Sequence, residues 1–194
     1  MAQEVPAVSA AARHALALRL SAAAAALVPL TVLVLWGAVG ERREEGRRAV
    51  TSAARRLELD PELLLAVAEV ESGFDPGARS EKGALGILQV MPETGKEVSA
   101  RMGLRSCDLL GAADNALVGG GYLRMLMDRY RRDLHLSLAA YHAGPARVDE
   151  WVDAGRGLPG PEVVEAFAFA ETRRYVDDVL RVKSRLERRS GEAR

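Results

Sequence analysis

Helical spacing of apolar residues dominates this chain from about Leu57 onward, and no run of alternating β-branched residues predicts a sheet. The pattern predicts an all-α, mostly helical fold. The length of 194 residues suits one domain of about 130 to 150 residues with additional segments. The expected helices cover residues 60–72, 81–102 with a break around Gly86, 113–131, 134–143, 145–153 and 161–188.

Charge and composition limit the kinds of partner, metal or cofactor that the sequence predicts. The formal net charge is +0, so no overall charge bias favours nucleic acid as a partner. A single cysteine, Cys107, excludes a disulfide within the chain. The three histidines are scattered, and no Cys/His cluster has metal-ligand spacing. The sequence therefore predicts no metal site and no cofactor.

An uncharged stretch over residues 21–39 is close to the roughly 20 residues needed to cross a bilayer. It predicts an N-terminal hydrophobic helix within residues 1–40, either an uncleaved signal anchor or a signal peptide. A buried, alanine-rich core helix is the third possibility. More arginines follow this stretch than precede it, so the distribution of positive charge does not decide the orientation of the stretch in a membrane.

The remaining boundaries follow from composition. Residues 41–56 are rich in charge and lack a large apolar stripe, which predicts a short solvated helix or linker. Residues 57–187 form the predicted folded domain, and residues 188–194 a basic tail.

The helix predicted for residues 60–72 ends in a carboxylate. Asp60 is a good N-cap and Pro61 suits the first helical position. The apolar stripe of this helix contains Leu64, Val67 and Ala68. Glu71 is the next position on that stripe, whereas Glu69 falls on the side expected to face solvent. Glu71 therefore occupies a position where a core residue is expected.

A carboxylate at the C-terminal end of a helix meets the negative end of the helix dipole. Partial burial also disfavours the charged form, so both effects raise the pKa of Glu71. A raised pKa keeps a carboxyl protonated near neutral pH, as a general acid requires. The alternative is a last-turn surface glutamate.

A second acid, Glu171, interrupts an apolar stripe in the helix predicted for residues 161–188. A buried acid needs partners, which Arg173, Arg174 or a tyrosine hydroxyl could supply. A structural ion pair is the alternative to a functional role.

Five motifs, in order, resemble those of the catalytic domain of soluble lytic transglycosylases. They are Glu71–Phe74, Gly83–Pro92, Asn115–Leu123, Ala140–Pro145 and Glu171–Val176. The resemblance covers about two thirds of the chain and implies a lysozyme-like SLT domain, also similar to goose-type lysozymes. The implied substrate is the glycan strand of peptidoglycan, cleaved between N-acetylmuramic acid and N-acetylglucosamine.

The chemistry implied by this resemblance does not add water. The muramyl C6 hydroxyl attacks its own anomeric carbon and leaves a 1,6-anhydro product. A glycosidase with a protein nucleophile needs two carboxylates about 5 to 5.5 Å apart. Intramolecular attack needs one carboxyl, which acts first as acid and then as base.

The resemblance implies roles for individual residues. Glu71 would be the acid and base, and Ser80 would face the substrate near it. Gln89 and Met91 would line the groove, with Gln89 hydrogen-bonding sugar amides or hydroxyls. Tyr141 would place its hydroxyl close to Glu71. Glu171 would help to hold that tyrosine or the distal wall of the groove. Weaker candidates, for stacking on sugar rings, are Phe74, Tyr122 and Trp151.

His142 departs from the pattern of the family, which has asparagine there. Both side chains donate and accept hydrogen bonds, but histidine is larger and titrates near neutral pH. Two other functions stay open: a hydrolytic muramidase, in which an acid such as Asp75 positions water, and a weakly catalytic peptidoglycan-binding subunit of an envelope-spanning secretion machine.

The implied location is the periplasmic face of the bacterial cell envelope. The expected partners are peptidoglycan glycan strands, the inner membrane through residues 21–39, and an envelope protein complex.

Overall fold

The computed structural model describes residues 36–192. The described residues fall into two units that divide between Glu41 and Arg42. In the first unit, residues 36–41 are helical and exposed. The predicted hydrophobic helix over 21–39 lies mostly outside the described residues. Within 36–192, no helix combines the length and apolar character that a bilayer crossing requires.

The second unit is helical, as the sequence predicts. Helix α1 spans residues 42–56 of this unit. The other seven helices are α2 (Pro61–Ser72), α3 (Pro92–Arg101), α4 (Ala112–Arg129), α5 (Leu134–Ala143), α6 (Pro145–Ala154), α7 (Gly160–Phe167) and α8 (Ala170–Glu192). No β-strand occurs between residues 36 and 192; two isolated bridges join Leu85 to Arg79 and to Val90.

Two of the predicted helices are wrong in extent. The helix expected over 81–102 is helical only from Pro92, because Gly83, Gly86 and Gln89 all take positive φ angles that turn the preceding loop. The helix expected over 161–188 is two helices, because Ala168 is extended (φ −73°, ψ 150°) and ends α7.

Helix α5 lies at the centre of the domain, where it packs against α4, α6, α7 and α8, while α2 packs along α8. Helix α1 adds Val50, Ala53 and Ala54 to the core. The prediction of a solvated helix or linker missed this buried face, because it is made of small residues. The exact domain boundaries stay predictions.

Helix α1 also supports the turn that follows α2. A Cβ atom on Gly46 would lie 2.3 Å from the carbonyl oxygen of Phe74, so only glycine permits this contact. The guanidinium of Arg47 lies 5.5 Å from the centroid of the Phe74 ring. Phe74 itself is buried and takes a φ of 68°.

The glycine run in α4 has a packing reason. A triple glycine is unfavourable in a helix and indicates either close approach by another backbone or a kink. Helix α4 is continuous, so there is no break at the glycines, and the groups that approach them closely are side chains rather than another backbone. A Cβ atom on Gly119 would lie 2.6 Å from Cβ of Leu88, and one on Gly120 would lie 2.8 Å from Cδ1 of Leu57. The glycines thus let the loop that carries Leu88 pack directly on α4.

Candidate active site

A cleft of about 430 Å³ lies between the end of α2, the loop over residues 80–91, the junction of α5 and α6, and the start of α8. Every site residue predicted from the sequence lines this cleft: Glu71, Ser80, Gln89, Met91, Tyr141, His142 and Glu171. The cleft is also lined by five residues that the sequence did not predict: Lys82, Ala84, Ala143, Arg147 and Thr172.

The caps of α2 place Glu71 at the cleft. The Asp60 carboxylate accepts a hydrogen bond of 3.0 Å from the Glu62 N–H and starts the helix, as predicted. Gly73, in a left-handed conformation, ends it and donates to the Glu69 carbonyl at 3.0 Å. Glu71 therefore lies in the last turn.

Burial dominates the electrostatics of Glu71. It raises the pKa of this carboxyl from its ordinary value of 4.5 to about 7. The Tyr175 hydroxyl donates a 2.8 Å hydrogen bond to Oε1 and opposes part of this shift. The direction is the one that the sequence predicts, and a pKa near 7 lets Glu71 both give and accept a proton near neutral pH.

The sequence analysis placed only the Tyr141 hydroxyl close to Glu71, but the structure has two tyrosines with different hydrogen-bond partners. The Tyr141 hydroxyl donates to the Leu88 carbonyl at 2.7 Å, and the hydrogen bond to Glu71 comes from Tyr175 instead. The sequence analysis did not single out Tyr175, because the residue lies on the apolar stripe of its helix, where a core position is expected. Its place in the Glu171–Val176 motif was the available signal.

The loop over residues 80–91 is fixed by buried polar groups. Asn115 of α4 is fully buried, accepts the Leu88 N–H at 2.8 Å and donates to the Leu85 and Leu109 carbonyls at 2.8 Å each. The Ser72 hydroxyl donates to the Ile87 carbonyl at 2.8 Å, which joins the end of α2 to the same loop.

The same loop carries three of the predicted site residues to the cleft. The Ser80 hydroxyl accepts the Ala84 N–H at 2.9 Å, and the side-chain amide of Gln89 donates to the Gly86 carbonyl at 2.9 Å. The Gln89 amide oxygen stays available as an acceptor. Met91 is 43% exposed at the cleft, an unusual position for so apolar a side chain.

His142 lies in the last turn of α5 and contacts α8. Its Nδ1 lies 3.2 Å from Oγ1 of the buried Thr172, and its ring stacks on Tyr175 with centroids 4.7 Å apart. Burial lowers the pKa of His142; the charge of Glu171 raises it, and that of Lys82 lowers it further.

Glu171 is exposed at the cleft, so the expectation of a buried acid with its own partners is wrong. The buried polar positions of this turn are Thr172 and Tyr175.

The three weaker candidates for stacking on sugars lie in different surroundings in the structure. Phe74 and Trp151 are core residues. Tyr122 is half-buried, packs against Tyr141 at a centroid distance of 5.4 Å, and lines a cavity of about 210 Å³ that shares walls with the cleft. Over residues 36–192, no group of three or more His, Cys, Asp or Glu side chains is arranged to hold a metal ion.

A helical domain with a partly buried carboxyl at the end of a helix in a cleft fits the lysozyme-like class. The family model for the transglycosylase SLT domain matches residues 48–160, more than half of the chain. The chain belongs to the transglycosylase SLT domain family.

Similar proteins support the assignment. The soluble lytic murein transglycosylase of Escherichia coli K12 is 33% identical over 129 residues, which are 63% of this chain and 20% of that protein. The structure of an inactive glutamate-to-glutamine mutant of the lytic transglycosylase Slt from Pseudomonas aeruginosa has a TM-score of 0.66 at 33% identity, over 71% of this chain and 23% of the other.

A complex of the 70-kDa soluble lytic transglycosylase with bulgecin A has a TM-score of 0.66 at 28% identity, over 74% of this chain and 24% of the other. The chain thus spans between a fifth and a quarter of the length of these relatives.

Proposed function

We propose that this protein is a lytic transglycosylase that cleaves the bond between N-acetylmuramic acid and N-acetylglucosamine in peptidoglycan. One observation carries the proposal: Glu71 lies in the cleft with its pKa raised to about 7 by burial. A general acid is most effective when its pKa lies near the working pH. Murein transglycosylases among the relatives support the choice of substrate.

In the proposed reaction, the protonated Glu71 gives its proton to the glycosidic oxygen as the bond to the muramyl anomeric carbon breaks. The carboxylate left behind then accepts the proton of the muramyl C6 hydroxyl, which attacks the same anomeric carbon. The product is a 1,6-anhydromuramyl end, and Glu71 is protonated again. The Tyr175 hydrogen bond stabilises the carboxylate form between the two steps.

The surroundings of Glu71 support a mechanism with one carboxyl. A nucleophilic carboxylate within 5.5 Å would raise the pKa of its partner strongly through like-charge repulsion. Burial is the cause that raises the pKa of Glu71, and no acidic residue within 36–192 contributes. Intramolecular attack by the C6 hydroxyl removes the need for a second acid.

The hydrolytic alternative needs a group that positions water. Asp75 was the candidate, but its Oδ1 accepts the Gly77 N–H at 2.9 Å and the residue does not line the cleft. No observation favours hydrolysis or a purely binding role over the transglycosylase, and both become outcomes of the test below.

The proposed location is the periplasmic face of the bacterial cell envelope, where the substrate lies. Residues 21–39 would direct export or hold the protein at the inner membrane.

Mass spectrometry of muropeptides tests the proposal. The full-length protein, in detergent, is incubated with purified sacculi beside the Glu71→Gln variant. We expect anhydromuramyl products from the wild type and none from the variant. Reducing-end muramyl products would establish a hydrolase instead. Binding to sacculi without any release by the wild type would establish a binding subunit.

A further inference from the structure

His142, which departs from the motif that this chain resembles, lines the cleft and contacts the tyrosine that hydrogen-bonds to Glu71. It lies in the last turn of α5, opposite two side chains of α8, Thr172 and Tyr175. These two are three residues apart and so share a face of their helix. One imidazole ring therefore contacts both at once.

The two contacts are of different kinds. His142 Nδ1 is 3.2 Å from Thr172 Oγ1, and Thr172 is only 1% exposed, so the hydrogen bond fixes the position of the imidazole on α8. The imidazole then lies over the phenol ring of Tyr175, with 28° between the planes. A stacked neighbour at this distance restricts rotation of the phenol ring.

The orientation of that phenol ring decides where its hydroxyl points. The hydroxyl donates to Glu71 Oε1 at 2.8 Å. Because Tyr175 is buried, a hydrogen bond to water does not readily replace this contact when it is lost. A small rotation of the ring would lengthen the hydrogen bond. The link from Thr172 to Glu71 thus runs through His142 and Tyr175.

We propose that His142 is a positioning residue that fixes the ring of Tyr175 and, through it, the hydrogen bond to Glu71. This inference deepens the proposed function, on which its kinetic readout rests. An asparagine at this position would offer no ring to stack on Tyr175. The chain therefore uses an aromatic contact where the related motif has an amide.

The charges around His142 favour its neutral form. Burial lowers its pKa, Lys82 on the loop acts in the same direction, and Glu171 on α8 opposes both. Arg147 on α6 lines the same cleft. A neutral ring keeps a positive charge away from Glu71, whose protonated form a nearby cation would disfavour.

The alkaline limb of the pH–rate profile tests the inference. Loss of the Tyr175 hydrogen bond raises the pKa of Glu71, so the limb moves to higher pH. We expect His142→Leu, which keeps the bulk but not the ring, to move it by up to about one pH unit. We expect His142→Phe, which keeps an aromatic ring, to move it much less. His135→Leu, at the other histidine of α5, is the matched control and should leave the limb in place.

A double-mutant cycle separates positioning from a general structural effect. In the Tyr175→Phe background there is no hydroxyl to orient, so adding His142→Leu should not shift the limb further. Additive shifts, or an unchanged limb in His142→Leu alone, would overturn the inference.

A second readout needs no substrate. NMR titration of the ¹³C-labelled Glu71 carboxyl should give the same ranking of variants. Failure of the wild type to cleave sacculi would refute the proposed function, whereas an unchanged Glu71 titration in His142→Leu would refute the role of His142.

Discussion

Glu69 and Glu71 lie two residues apart on α2, and both contact α8, but the two contacts differ in chemistry. Glu69 forms an ion pair with Arg185, and farther along the same interface Lys183 pairs with Asp60 at 2.9 Å. Glu71 meets a neutral phenol and has no cation bound. The outer contact holds a charged carboxylate, while the inner one leaves a carboxyl that gains and loses a proton near pH 7.

This difference explains how one helix pair can hold both a structural and a reactive acid. A cation beside a carboxylate favours its charged form, which would leave no general acid at neutral pH. Burial without a cation does the opposite. The burial of Glu71, with a neutral phenol instead of a cation as its partner on α8, therefore separates the two roles.

The largest expected difference between the two glutamates is in catalysis. Glu71→Gln should lower the rate of sacculus lysis by at least about 10³-fold, because a general acid and base is lost. Glu69→Gln is the matched control and should keep the rate within a few-fold. Turbidity of a sacculus suspension measures both, and comparable losses would remove the distinction between the two sites.

The Glu71→Gln substitution that abolishes activity should increase stability. Burial raises the folded pKa of Glu71 to about 7 against 4.5 unfolded, so the contribution of Glu71 to stability falls as pH rises from 4.5 to 7 and is constant above. Glu71→Gln removes this loss. We expect the variant to match the wild type near pH 4.5 and to be more stable by up to about 3 kcal/mol above pH 7.

Urea denaturation at pH 4.5, 6 and 8 measures this gain. A Glu71→Gln variant that is less stable than the wild type at pH 8 would contradict the burial of a charge at this position.

Tyr175→Phe should have a smaller effect, concentrated in the pH profile. The hydroxyl lowers the pKa of Glu71, so its removal raises that pKa, and the alkaline limb should move up by about one pH unit. Tyr141→Phe provides the comparison, because the Tyr141 hydroxyl bonds to the Leu88 carbonyl instead. A limb that moves to lower pH in Tyr175→Phe would be inconsistent with the donor role.

The smallest effect belongs to the outer ion pair. Arg185→Ala should cost about 1 kcal/mol or less, since both partners are partly exposed and solvent screens them. The loss should shrink further in 0.5 M salt. Thermal unfolding at two salt concentrations measures it, and a salt-independent loss of several kcal/mol would mean that packing of the arginine stem dominates.

The sequence predicted what depends on local periodicity and on motif order. Helix α2, its Asp60 cap and its Gly73 end follow from residue types that act within one turn. The motif resemblance brought seven scattered residues into what the structure shows as one cleft. These signals need no knowledge of how distant helices pack.

Tertiary contacts explain the errors. Gly46 and the alanines of α1 form a core face too small to register as an apolar stripe. Tyr175 and Tyr141 both lie in motifs, but only the packing of α8 on α2 decides which hydroxyl reaches Glu71. The exposure of Glu171 follows from the end of α7 at Ala168, which the periodicity of one long helix concealed.

Burial without a cation raises the pKa of Glu71 far enough for this carboxyl to serve as a general acid near neutral pH. The most direct test of this claim is the NMR titration of the Glu71 carboxyl in the wild-type protein, with Glu71→Gln identifying the resonance. The account predicts a pKa of about 7. A pKa near 4.5 would contradict it, because Glu71 would then be charged at neutral pH and could not serve as the general acid.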